Sequence, residues 1–306
     1  MARSASMTST SDDLGAWLAG VRATTDATLA AWSQEAAQRW PGAVGAAIGY
    51  ALAGEGKRLR PALVHAAFDA AGGQGHPTDF AAVVETVHTY SLVHDDLPCM
   101  DDDDLRRGRA TVHRAYSVEV AVEAGFRMVA LASWGLERGA DALTLPRETR
   151  TALRAVLFQG AGVAGMIGGQ MLDLEAEDRV LTRDELVAVH RAKTGALLTA
   201  SVVMGGLAAK ADARVLEALQ AYGGSVGLAF QIVDDILDAT ATSEALGKTA
   251  GKDARQGKST YAELLGVEGA RQEAERLATD AVRVIATVKG SERLVQIAHH
   301  IIGRAS

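Results

Sequence analysis

Apolar residues recur along this chain at the spacing of one helix face. Leu14, Trp17, Leu18 and Val21 form one such stripe, and Val215, Leu219 and Tyr222 form another. The same spacing predicts helices over segments near 43–53, 59–71, 78–97, 114–137, 147–172, 183–209, 211–238, 268–288 and 291–303. Thr182-Arg183-Asp184-Glu185 is a capping box that opens a helix toward Lys193. Gly72-Gly73 and Gly290-Ser291 mark turns. The last of the five prolines is Pro146, so no proline interrupts the second half, which suits long helices. No stretch alternates apolar and polar residues as a half-buried strand would, and no low-complexity linker or short repeat divides the chain. The pattern predicts an all-α protein of about ten or more helices with short connections. It reads as one domain over 1–306 with a flexible N-terminus over 1–12.

Composition supports this picture. Hydrophobic residues are 48%, charged residues 23% and aromatic residues only 5%, with Ala abundant. That balance favours close-packed helices over sheets, which prefer β-branched and aromatic side chains. The net charge of −7 argues against a nucleic-acid partner, because phosphate backbones need a basic surface. An acidic chain that binds an anion must gather its few cations in one place or bridge through metal ions. Cys99 is the single cysteine, so no disulfide forms within the chain, in keeping with a reducing, cytoplasmic setting. The segment from Met1 to Asp13 has no apolar core of a secretory signal. No uninterrupted apolar run reaches the roughly 18 residues of a membrane span.

Three clusters carry candidate chemistry. The first is Asp95-Asp96-Leu97-Pro98-Cys99-Met100-Asp101-Asp102-Asp103-Asp104, followed by Leu105-Arg106-Arg107-Gly108. Alone, this run reads as a solvated acidic loop, but its carboxylates are also hard ligands suited to Mg²⁺ and its substrate phosphates. Val83, Val87 and Tyr90 place Asp95 and Asp96 at the end of an amphipathic helix. Asp95 and Asp101 are about 240° apart on an ideal helix, so the chain must leave the helix near Pro98 for both to reach one metal cluster. The second cluster is Asp234-Asp235-Ile236-Leu237-Asp238. Here Asp234 and Asp238 share a helix face at i and i+4, a spacing that destabilises like charges without a cation. The third is Gly56-Lys57-Arg58-Leu59-Arg60-Pro61, either a surface turn before a helix or a diphosphate anchor in which Arg supplies a fork and Lys a point charge. Arg106-Arg107 offers a second anchor, and Lys193, Lys248, Lys252 and Lys258 offer further cations.

Taken together, GKRLRP, SLVHDDLPCMDDDDLRRG, GGQMLDL, KTG, FQIVDDILD and LGKTAGKDARQGKSTY resemble the trans-isoprenyl diphosphate synthase (polyprenyl synthetase) family, in particular its bacterial short-chain farnesyl type. The motifs run in family order from about residue 45 to the C-terminus. The resemblance implies the isoprenoid synthase fold, with mostly antiparallel helices around a central cavity. It implies a Mg²⁺-dependent prenyltransferase that condenses isopentenyl diphosphate with dimethylallyl or geranyl diphosphate, and a homodimer. Under it, Lys57, Arg60, His88 and Arg107 hold the diphosphate of isopentenyl diphosphate. Asp95, Asp96 and Asp101, with Asp234, Asp235 and Asp238 opposite, form the metal set. Arg106, Lys193 and Lys258 bind the allylic diphosphate. Thr194 and Gln231 line the path of the cation, and Lys248 closes over the diphosphate. The catalytic set so implied is Asp95, Asp101, Asp234, Lys193, Thr194 and Gln231. Tyr90, roughly 7.5 Å along the helix from Asp95, and its neighbour Ser91 fall where the family limits chain length.

One stretch departs from the family. Where Ala-Gly-Asp-Ala-Leu is expected, this chain has Ala124-Gly125-Phe126-Arg127-Met128, with Glu119 and Glu123 also unusual. The change reads either as local repacking or as altered catalysis. Two further functions remain in view: a class I terpene cyclase, against which the Asp234 motif and the Lys57 set both argue, and a non-catalytic partner subunit, against which the intact aspartate motifs argue.

Overall fold

The N-terminal stripe is realised as α1 (Ser4–Arg39), whose buried face continues through Thr25, Leu29, Trp32 and Ala36 at helical spacing. The computed structural model describes residues 4–176, 179–240 and 259–305. After α1 come α2 (Ala43–Leu52), α3 (Leu59–Ala70) and α4 (Thr78–Asp95). A two-stranded hairpin, β1 (Leu105–Arg106) and β2 (Arg109–Ala110), and the single turn α5 (Val112–Ala115) lead into α6 (Val118–Ala142). Next are α7 (Arg147–Ala161), α8 (Met166–Glu175) and α9 (Arg183–His190). A π-helical turn, Arg191–Gly195, joins α9 without a break to α10 (Ala196–Ala208). The chain then runs through α11 (Ala213–Thr240), α12 (Tyr261–Ile285) and α13 (Glu292–Ile302) to a 3₁₀ turn, Gly303–Ala305. The all-α expectation holds.

Local chemistry explains most of the boundaries. Thr182 and Glu185 make the expected capping box at the start of α9, and Thr260 with Glu263 makes another at the start of α12. Ser117 caps α6 by accepting from Val120 N, so that helix starts later than apolar periodicity alone predicts. The single helix expected over 147–172 is two. Gly162 leaves the helical region, and α8 restarts at Met166. Arg147–Glu175 has the length and hydropathy of a membrane span, but the break leaves pieces of 15 and 10 residues. Neither reaches the ~20 residues that crossing a bilayer takes. The hairpin was not expected from alternation. Its two-residue loop, Arg107-Gly108, has positive φ at both positions (53° and 75°), which sets the twist a tight hairpin needs.

Two hydrophobic clusters fill the interior. One gathers residues of α3, α10, α11, α12 and α13, among them Leu63, Val202, Tyr222, Ile232 and Ile285. The other gathers α1, α2, α3, α4, α6, α7 and α10, among them Trp32, Phe68, Val84, Met128 and Leu153. Helices α3 and α10 present side chains to both, so they couple the halves. The Tyr222 hydroxyl donates to Leu294 O at 2.7 Å and ties α13 to α11. This packing leaves open space between the end of α4, α8, the π turn and α11, where the polar motifs meet.

Candidate active site

The first acidic motif leaves its helix where geometry demanded. Helix α4 ends at Asp95, and Leu97 to Met100 fold into a turn closed by Met100 N donating to Leu97 O. Asp101 N then donates to Asp95 O at 2.8 Å, and Asp103 N to Asp96 O at 3.2 Å. The excursion brings Asp101 beside Asp95 although they are six residues apart. Burial pushes the Asp95 carboxyl up to about 6, and the neighbouring Asp101 adds to the shift while Lys193 opposes it. A carboxylate in that setting calls for a cation.

Asp96 is differently placed. It is buried, and both of its oxygens accept from Arg106 Nε, at 2.8 and 2.9 Å, in a forked pair. In this arrangement the Asp96–Arg106 pair fixes the hairpin against the end of α4.

In the basic motif the three cations divide between two tasks. Arg58 adopts a left-handed conformation (φ 51°) at the start of α3, and its guanidinium is buried. It donates to Asp26 and Glu85, each at 2.7 Å, and to Gly54 O. Arg58, Lys57 and Arg60 all border one space. It is a cavity of about 580 Å³ that His88, Arg107, Gln231 and Asp234 also line. Burial and the nearby Arg304 lower the Lys57 ammonium from its usual range. Burial, opposed by Glu85 and Asp234, lowers Arg60. Burial and the surrounding guanidiniums, Arg60 first, hold His88 well below its ordinary value, so it is neutral at pH 7. Arg60 Nε is buried with no partner. Crowded cations with an unpaired inward donor form a site for an anion.

Sequence reasoning missed Arg304. The amphipathic face of α13 (Leu294, Ile297, Ala298, Ile301) docks on the core, and the following 3₁₀ turn swings Arg304 into the same cavity. Its Nη2 donates to Asp234 Oδ1 at 2.8 Å, its guanidinium lies 5.1 Å from the Phe230 ring centre, and Nη1 is buried without a partner. Nothing local in the sequence says that this end of α13 returns to the site.

On α11 the paired aspartates face apart. Burial raises Asp234 from the usual carboxylate range, with Arg304 the largest opposing influence. Asp235 points into the protein: Tyr261 N donates to it at 2.9 Å, Gln231 Nε2 donates at 3.1 Å, and His190 Nε2 lies 3.1 Å away. In this arrangement Asp235 is a buried tie between α11, α9 and α12. Asp238 is half-buried one turn beyond Asp234.

The π turn delivers two more predicted residues. The Thr194 hydroxyl donates to Gln231 Oε1 at 2.7 Å, and Lys193 Nζ donates to Asp173 of α8 at 2.6 Å. Gly169 lets α8 approach, since a Cβ there would lie 2.1 Å from Lys193 N. A π turn widens the helix locally and re-aims its side chains, which is why such turns collect at functional sites. Lys193 and Thr194 open onto a second cavity of about 360 Å³, lined mainly by apolar residues that include Tyr90, Met100, Phe126, Met166 and Met171. Ser91 and Asp95 also line it, and Arg60, His88, Leu92 and Thr194 are common to both cavities. Gln170, another residue given no role from sequence, lines the apolar cavity with both amide atoms buried and unpartnered. Asp101 and Asp238 line neither cavity. Lys248 and Lys258 lie outside the described residues.

Among the described residues, no three carboxylate, His or Cys side chains converge as a preformed metal centre. The donor set nevertheless fits Mg²⁺, which prefers one or two carboxylates supplemented by substrate phosphates and water. Half-buried Asp95 and Asp234 supply carboxylates of that kind on opposite sides of the joined cavities.

An all-helical shell enclosing a cation-lined cavity beside an apolar one, with acidic motifs on α4 and α11, defines an enzyme that handles a diphosphate carrying a hydrocarbon tail. The chain belongs to the polyprenyl synthetase family, whose profile matches residues 42–297. It is 41% identical over 263 residues to a farnesyl diphosphate synthase of Haemophilus influenzae, an alignment spanning 85% of this chain and 88% of that protein. It is 46% identical over 228 residues to the farnesyl diphosphate synthase of Escherichia coli, covering 74% and 76% respectively. Its fold matches a Helicobacter pylori geranyltransferase crystallised with magnesium and isoprenyl diphosphate, with a TM-score of 0.74 and 30% identity over 90% of this chain and 96% of that one.

Proposed function

We propose that this protein is a Mg²⁺-dependent prenyltransferase that condenses isopentenyl diphosphate with dimethylallyl or geranyl diphosphate, with farnesyl diphosphate as its main product. The observation that carries this reading is the junction of the two cavities at Arg60, His88 and Thr194. One cavity is suited to a diphosphate and the other to a hydrocarbon, and the carboxylates stand beside them.

Lys57, Arg60, Arg107 and Arg304 hold the diphosphate of isopentenyl diphosphate, and Arg60 Nε and Arg304 Nη1 gain the acceptors they lack. Asp95, Asp101 and Asp234 would hold Mg²⁺, which neutralises the charge that develops on a departing diphosphate. In the reaction the C–O bond of the allylic diphosphate breaks and its electron pair leaves with the diphosphate. The double bond of isopentenyl diphosphate attacks the allylic carbon and forms the new C–C bond. A proton then leaves the neighbouring carbon for a diphosphate oxygen. Thr194 and Gln231, fixed by their mutual hydrogen bond, present oxygen dipoles where positive charge arises. Lys193 exchanges Asp173 for the leaving group. His88, neutral, adds no competing charge. The Tyr90 ring closes the far part of the apolar cavity and limits chain growth.

This reading treats residues 1–306 as one catalytic unit, because walls of the site come from both hydrophobic clusters. It includes a cytoplasmic location, supported by the single Cys99, and a homodimer. The exposed apolar residues Phe158, Val163 and Leu172, on and around α7 and α8, offer a surface for a second copy. Sedimentation showing only monomer at micromolar concentration would remove the dimer. The main test is incubation with Mg²⁺, isopentenyl diphosphate and geranyl diphosphate, with products resolved by length. Farnesyl diphosphate is expected. A free hydrocarbon or alcohol would favour a cyclase, and no product would favour a non-catalytic subunit.

A further inference from the structure

The departure from the family on α6 separates into two faces. Arg127 turns outward: it pairs with Glu123 at 2.6 Å, and its guanidinium lies 5.8 Å from the Trp40 ring centre. Glu119 sits in the first turn of α6 beside the Ser117 cap, where a carboxylate is favoured. These residues have structural explanations away from the site. Phe126 does not. It lines the apolar cavity together with Val129 of the same helix.

Its position is tightly built. Gly125 lies against His94, and a Cβ at Gly125 would fall 2.0 Å from the imidazole. His94 Nε2 is 3.1 Å from Val122 O, which holds the ring in place. The Phe126 ring meets His94 edge-on at 5.5 Å, and His94 meets Tyr90 edge-on at 5.8 Å. The three rings form a continuous aromatic tier from the buried Tyr90 to the surface. Across the cavity, α8 contributes Met166, Ile167 and Met171. Helices α6 and α8 have little direct packing between them. Phe126 is 62% exposed, Ile167 45% and Met171 50%, so the residues that line the cavity also reach its outer edge. The cavity is therefore edged by exposed apolar side chains of α6 and α8, with the phenyl ring on the α6 side.

We infer that Phe126 is a second chain-length determinant, barring a lateral route between α6 and α8 that a growing chain stopped by Tyr90 would otherwise take. The inference rests on the prenyltransferase reading and names a specificity residue for it. A hydrocarbon tail turned aside by Tyr90 meets an apolar gap flanked by methionines, whose flexible side chains adapt to such a guest. Phe126 supplies the aromatic bulk on the α6 side of that gap, opposite Ile167 and Met171 of α8. The acidic residue that the family resemblance leads one to expect would place a charge there instead.

The test compares the wild type with Phe126→Ala, Phe126→Leu, Tyr90→Ala and the double alanine variant. Each full-length protein is given Mg²⁺, isopentenyl diphosphate and geranyl diphosphate, and products are resolved by length. Phe126→Ala, with Tyr90 intact, is expected to make product at least one isoprene unit longer than the wild type. Phe126→Leu is expected to do so less, and the double variant is expected to exceed both singles. Coincident thermal melting of Phe126→Ala and wild type shows that the exposed position is not needed for folding. If Phe126→Ala gives the wild-type product spectrum while Tyr90→Ala lengthens it, the lateral route is overturned and the prenyltransferase reading stands. If the wild type makes no elongated product, the reading itself fails and takes the inference with it.

Discussion

In Gly56-Lys57-Arg58-Leu59-Arg60 the three cations divide between two tasks, and the difference can be measured. Arg58 and Glu85 form a buried ion pair, so removing one partner strands a charge. Arg58→Met should cost about 3–5 kcal/mol of unfolding free energy, read by urea titration. Lys57→Met should leave stability within about 0.5 kcal/mol. It should raise KM for isopentenyl diphosphate about tenfold or more, each tenfold being about 1.4 kcal/mol of binding. The reverse pattern would show that the anchor and the ligand have been exchanged. On the next turn of α3, His65 is half-buried with its Nε2 buried and unpartnered, and burial lowers it to about 4. Between pH 6.5 and pH 4 the unfolded chain takes up the proton that the folded chain refuses. The contribution of this group to stability is therefore complete above pH 6.5 and is lost as pH falls through that window, by up to about 3 kcal/mol. His65→Gln should flatten the fall in unfolding free energy between pH 7 and pH 4.5. An unchanged slope would assign the fall to other groups.

At the scale of elements, the joint between α8 and the π turn governs geometry at the reacting centre. The close approach of Gly169 to the Lys193 backbone sets where Lys193 and Thr194 point. A methyl group there must push the two elements apart, and a displacement of about 1 Å at a catalytic group can cost about 100-fold in rate. Gly169→Ala is expected to lower kcat by that order while KM for isopentenyl diphosphate, bound on the α3 side, changes little. A variant that instead weakens only substrate binding would show that the π turn tolerates the shift. Three site cations are already paired with carboxylates: Arg304 with Asp234, Lys193 with Asp173, and Arg106 with Asp96. Under the proposed function Lys193 and Arg304 exchange partners when substrate enters, so part of the intrinsic affinity offsets the loss of these pairs.

For the whole molecule, the dispersed carboxylates make a prediction about metal. With no preformed centre among the described residues, Mg²⁺ alone should shift the melting temperature little. Mg²⁺ with inorganic diphosphate should stabilise by about 2.7 kcal/mol at 100 times the dissociation constant. Equal stabilisation by Mg²⁺ alone would indicate a complete protein-built metal site. The same scale explains what the sequence shows and what it hides. The departure from helix after Asp95 is legible, because two residues six positions apart cannot share a helix face whatever the rest of the protein does. The helix pattern is legible for the same local reason. The inward turn of Asp235, the capture of Asp96 by Arg106 and the arrival of Arg304 depend on neighbours 26 to 70 residues away in the chain or on a hairpin without alternation, and no local pattern encodes them. The split between α7 and α8 falls at glycines inside an apolar run, where periodicity continues across the break.

The turn after α4 also bears on how such a protein can change over generations. Its shape is secured by main-chain bonds, Asp101 N to Asp95 O, Asp102 N to Leu97 O and Asp103 N to Asp96 O, none of which involves an aspartate side chain. Replacing the side chains of Asp95 and Asp101 would remove the cation-binding groups of the proposed function without removing those bonds. Selection for reactivity and selection for architecture thus act on different atoms of the same ten residues. A descendant that lost its chemistry would keep the loop, the joined cavities and the capacity to hold a prenyl chain, and a binding protein could arise from the catalyst without a change of shape.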